Sequence, residues 1–167
     1  MNLQDSTTFP DDRKLEDKFA PTIKGMLATH FIRKVESDDL EKGRDFAIYK
    51  VQPFSVAVRL RRHRFFRAFR DEFTIRWSRP RGTKTEIDKI REGTVNYLFY
   101  GFLSPDETFI IQYFLADLKE FGNPEPAEII LNKTKDSELA VFKLNQFPKS
   151  FIVRFWCHKT YERSERS

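Results

Sequence analysis

Ser55-Val-Ala57-Val-Arg59-Leu-Arg61, running on into Arg62-His-Arg64-Phe-Phe66-Arg67-Ala-Phe69-Arg70, is the stretch on which the fold turns. Its first seven residues alternate. Val56, Val58 and Leu60 fall on one side, and Ala57, Arg59 and Arg61 on the other. Side chains alternate across a strand, so this pattern predicts a strand over 55–62 with cations on one face. The mixed, arginine-dense passage Arg62–Arg70 predicts a basic loop. Glu72–Trp77 predicts a further strand, with Phe73, Ile75 and Trp77 inward and Glu72, Thr74 and Arg76 on the polar face. Upstream, a loop holding Glu36, Asp38, Asp39 and Glu41 leads into a predicted strand at Asp45–Val51. Three strands this close in sequence are expected to pair antiparallel.

Working outward, Leu15, Phe19, Ile23, Leu27 and Phe31 recur every four residues, which predicts an amphipathic helix from about Asp11 to Lys34. Pro21 is expected to kink that helix or divide it. Thr83-Lys-Thr-Glu86 matches a capping box and Gly93 a C-terminal stop, giving a helix of about ten residues with Ile87 and Ile90 inward. Val95–Leu103 and Phe109–Leu118 are continuous apolar runs, the pattern of strands buried on both faces. Gly122-Asn-Pro-Glu-Pro126 reads as a connector. Leu139–Leu144 and Phe151–Trp156 read as late strands. The polar ends, 1–10 and 159–167, are expected to be loose. The order of elements predicts an α/β (α+β) fold with a mixed central sheet flanked by helices, in a single domain over 1–167.

Composition narrows the function. Hydrophobic residues make up 40% of the 167, enough for a packed core, so the chain is globular rather than disordered. One cysteine, Cys157, excludes a disulfide framework and a cysteine zinc site. A reducing, cytoplasmic setting is expected, with no signal peptide in Met1-Asn-Leu-Gln-Asp and no membrane-length apolar run. His30, His63 and His158 lack metal-ligand spacing, and no glycine loop resembles a nucleotide-binding motif. Charge is more telling. Residues 59–91 hold twelve Lys/Arg against four acids, a local +8 in a chain of net +5. Such a block suggests a polyanion partner, and arginine favours forked phosphate contacts. Arg61, Arg62, Arg64, Arg67, Arg76 and Arg81 are therefore the candidate nucleic-acid contacts. Phe65, Phe66, Phe69 and Trp77 offer stacking surfaces or core anchors. The other reading is a basic face that meets an acidic protein partner or serves as a solvated surface. A homodimer is compatible with either.

Acids leading into a strand, followed by a strand that carries a cation, can also bind a metal and a phosphodiester. Mg²⁺ prefers carboxylate oxygens together with substrate phosphate. Asp45, at a strand mouth, is the foremost metal ligand candidate, with Glu36, Asp38, Asp39 and Glu41 upstream as candidates for a second. Asp45 also has an ordinary reading as the partner of an arginine. The pattern of an early helix, an acid opening one strand, an acid-x-Lys motif on the next and then a helix and strand resembles the PD-(D/E)xK nuclease superfamily. The resemblance covers about residues 15–117, and it implies a restriction-endonuclease-like fold with Mg²⁺-dependent phosphodiester hydrolysis. Matched by position, Asp45 stands for the first acid, Ala57 for the second and Arg59 for the lysine. Alanine cannot bind metal, and arginine cannot act as a base, although it can stabilise phosphoryl charge. A migrated second acid is then sought in Glu72 or Glu86, with Arg59 or Lys89 as the cation. Glu72 beside Arg70 and Arg76 has the competing reading of a surface ion pair, Glu86 that of a helix cap, and Lys89 that of a solvated cation.

Overall fold

The computed structural model describes residues 14–29, 54–79, 84–131 and 137–162. They fall in two compact units, Met1–Pro53 and Phe54–Ser167. The expected strand at Asp45–Val51 and the acidic loop before it lie outside the described residues, as do Arg81 and positions 30–34 of the expected first helix.

In the first unit a helix (α1) runs through 14–29. Leu15, Phe19 and Ile23 are buried, as their four-residue spacing predicts. The helix continues through Pro21 without a break, so it is not divided there. Proline removes one backbone donor, and one missing bond does not end the helix.

The second unit contains seven described strands: β1 (Val56–Arg61), β2 (Glu72–Ser78), β3 (Tyr97–Leu103), β4 (Ile110–Asp117), β5 (Glu128–Leu131), β6 (Glu138–Lys143) and β7 (Ile152–Cys157). Its described α-helices are all short: α2 (Phe66–Phe69), α3 (Glu86–Arg91) and α4 (Lys159–Glu162). The class is α+β. The mixed sheet expected from the sequence is present, with strand order β1-β3-β4-β7. β1 runs parallel to β3, while β4 is antiparallel to both β3 and β7.

A second sheet, β2-β6-β5, is fully antiparallel and packs on the first. This corrects the expected pairing. β1 and β2 do not share a sheet, because β1 finds β3 beyond α3 while β2 pairs with the late strand β6. The basic loop expected at 62–70 is also ordered differently. It forms a 3-10 turn, His63–Phe65, that leads directly into α2.

The two sheets meet through aromatic side chains. Phe73 of β2 is completely buried, with ring centroids 6.3 Å from Tyr100 and 5.8 Å from Phe114 on the mixed sheet. It also packs against Phe142 of β6 and Phe147 of the β6–β7 connection, each at 5.5 Å, and Phe151 of that connection at 5.8 Å. Such ring pairs add directional contacts to simple area burial. At the opposite extreme, Phe155 on edge strand β7 is 51% exposed. Phe73→Ala should therefore cost about 3–5 kcal/mol of stability. Phe155→Ala should stay within about 0.5 kcal/mol of wild type. Urea unfolding of the two variants checks this, and equal losses would contradict the placement of the core.

Candidate functional site

The arginines of the basic stretch divide into an inner and an outer group. Arg59 and Arg61 lie on one face of β1, in register with Tyr100 and Phe102 of β3. That face turns toward the second sheet, so both arginines need partners there. Arg59 Nη2 reaches Glu86 Oε1 at 2.6 Å. Arg61 donates to the Tyr100 hydroxyl at 2.8 Å and to the Thr74 hydroxyl of β2, and its guanidinium lies 5.8 Å from the Tyr100 ring centroid. Arg62 pairs with Glu107, a residue held at a left-handed φ of 54° in the β3–β4 turn.

Glu86 is the junction of this network. Its second oxygen, Oε2, accepts from the backbone N–H of Arg76 at 2.9 Å. Arg76 lies on β2, which among the described residues is an edge strand, and Glu86 supplies a partner for its backbone N–H. One carboxylate thus joins β1, β2 and α3. The sequence places Glu86 in a capping box with Thr83, but the structure shifts that box by two residues. Thr85 is the N-cap, and its backbone N–H donates to Asp88 Oδ2 at 2.7 Å. The cap role falls to Asp88, and Glu86 is left for the sheets. The helix has six residues rather than ten, and Gly93 closes it at φ 68°.

The remaining candidates do not gather at this point. Glu72 opens β2 opposite Lys143, four residues from Arg76 and so about 13 Å along the strand from where Glu86 docks. Lys89 lies one turn beyond Glu86 on α3 and is exposed. Asp45 and Glu36 lie outside the described residues. Ala57 and Glu86 line the same small void.

Glu86 has one oxygen on a guanidinium and the other on an amide N–H. No group of three His, Cys, Asp or Glu comes together among the described residues. No protein-family model matches this sequence, and no curated protein or solved structure matches it.

The outer group occupies the turn after β1. Arg64 and Arg67 are exposed there, and Phe69 is 38% exposed between them and Arg70. The turn is anchored from below. Phe66 is buried and packs edge-on against Phe102 at 5.6 Å. Gln112 is buried on β4 and donates Nε2–H to the Arg70 carbonyl at 3.1 Å. Arg64 lies over the Phe65 ring at 4.9 Å. Gln112, Tyr100, Thr74 and Glu107 were not singled out from the sequence. For Gln112 a signal existed, since it is the one amide in the apolar run 109–118. For Thr74 and Tyr100 there was none, because their partners lie on other strands.

Burial pushes the Glu86 carboxyl up, but the charge and hydrogen bond of Arg59, and then the Arg76 N–H, outweigh it and hold the group below its ordinary 4.5. A carboxyl depressed on folding contributes stability that is fully present above about 4.5 and lost as pH falls through the lower folded value. Glu86→Gln should therefore cost about 2 kcal/mol near pH 7 and little in acid. Urea unfolding across that range tests it. A variant whose loss does not shrink in acid would contradict the assignment.

Proposed function

We propose that the chain is a nucleic-acid-binding domain that contacts phosphate through the turn 63–70. The observation that carries this reading is the exposure of Arg64 and Arg67 beside a partly exposed Phe69, on a turn anchored by Phe66 and Gln112. Cations on a rigid mount neutralise phosphates with little ordering cost, and an adjacent ring can stack on a base. Arg59, Arg61 and Arg62 are engaged inside the fold and serve the surface by holding its frame. The domain binds without cutting in this reading, which is supported by Glu86, a carboxylate on the same void as Ala57, being committed to Arg59 and to β2. The alternative partner is an acidic polypeptide, which offers charge without bases.

Fluorescence anisotropy with single-stranded DNA and RNA and with a polyglutamate of equal charge separates these readings. Arg64→Ala with Arg67→Ala should weaken nucleic-acid binding and flatten its salt slope by about two. Equal affinity for polyglutamate would transfer the surface to an acidic protein. Mg²⁺-dependent cutting that Glu86→Gln removes would overturn the non-cutting reading.

A further inference from the structure

A groove of about 560 Å³ opens between the C-terminal end of α3 and the turn that follows β4. That volume is in the range that holds a small organic molecule, roughly 300–1,000 Å³. Its floor is apolar. Ile90, Val95, Leu118 and Phe121 line it, and all four belong to the core or pack against it. Its rim is polar, with Arg91, Lys119, Asn96 and Asn123. Gly93 and Gly122 complete the lining at φ 68° and 61°, and open space stands where a Cβ would be. Both positions require the left-handed backbone that glycine adopts freely, so the turns that shape the groove also leave it open.

The charge of the groove is one-sided. No carboxylate lines it. The acids adjacent in sequence are occupied elsewhere. Glu92 pairs with Lys84 at 2.8 Å, Glu120 accepts from the Ser150 hydroxyl at 2.8 Å, and Asp117 accepts from the Lys119 backbone N–H at 3.0 Å. The side chains of Lys119 and Asn123 have no hydrogen-bond or ion-pair partner among the described residues, and Arg91 rests 5.1 Å from the Trp77 ring centroid. Asn96 accepts at Oδ1 from the Ser55 N–H at 2.8 Å, which leaves its amide hydrogens as donors.

We infer that this groove binds a small organic anion. The apolar body lies on Ile90, Val95, Leu118 and Phe121, and the anionic group meets Lys119 and Arg91. The amides of Asn96 and Asn123 supply polar contacts beside it. An apolar floor gives affinity, and a few convergent polar groups give orientation. The lack of a lining carboxylate selects against cations and favours anions over neutral molecules of the same shape. None of these residues belongs to the turn 63–70, so the inference stands apart from the nucleic-acid reading.

Titration of the ¹⁵N-labelled protein with three probes tests it: indole-3-acetate, its neutral amide and the cationic tryptamine. The acetate should bind about tenfold more tightly than the amide, and tryptamine more weakly still. Amide shifts should centre on Gly93, Asn96, Lys119 and Gly122. Lys119→Glu should lower the acetate affinity about tenfold. Lys159→Glu makes the same charge change in α4, which follows the His158 N–H bond to Ile111 at the other end of β4, and should leave the affinity unchanged. Equal binding of the three probes, no binding of the acetate, shifts centred elsewhere, or an equal loss in both variants would each overturn the inference.

Discussion

The Glu86 carboxylate is the contact on which the arrangement of the second unit depends. Among the described residues β1 stands at the edge of one sheet and β2 at the edge of the other. Glu86 reaches both from a third element, accepting from the Arg59 side chain of β1 on one oxygen and from the Arg76 backbone N–H of β2 on the other. A partly buried charge pair is costly unless its geometry is complete, and here both carboxylate oxygens are engaged. The aromatic layer around Phe73 supplies the apolar burial between the sheets. Glu86 and Arg61 fix how their edges meet.

This constraint also explains the division of labour along the basic stretch. Six arginines stand between positions 59 and 70. Those on β1 point into the junction between sheets and are used there. The turn that follows lifts Arg64 and Arg67 to the surface, while Phe66 and Gln112 hold it in place. A single run of like charge therefore contains both internal fasteners and an exposed basic turn. The backbone period, rather than the charge count, decides which arginine does which.

Much of the strand layout was legible in the sequence. Alternation over Ser55–Arg62 marks β1 to within a residue, and the runs at 95–103 and 109–118 mark β3 and β4, because a buried strand leaves a local hydrophobic signature. The partition into two sheets was not legible. It depends on β2 meeting β6 some sixty residues later, and no local pattern records that pairing. β5 carries exposed Ile129 and Leu131 and escaped notice beside a proline-rich connector. The cap register was ambiguous because Thr83/Glu86 and Thr85/Asp88 both place an acid three residues after a threonine, and only the structure separates them. That two-residue shift changes Glu86 from a cap into the junction of the sheets, so a small local ambiguity conceals the main feature of the site.

An arginine scan measures this account most directly: Arg59, Arg61, Arg62, Arg64 and Arg67 replaced singly by alanine, with unfolding free energy and single-stranded nucleic-acid affinity determined for each. The account predicts that Arg59, Arg61 and Arg62 lose stability and bind normally once folded, while Arg64 and Arg67 keep their stability and lose affinity. Losses of stability and affinity that track together across all five, or affinity carried by Arg59 and Arg61, would contradict it.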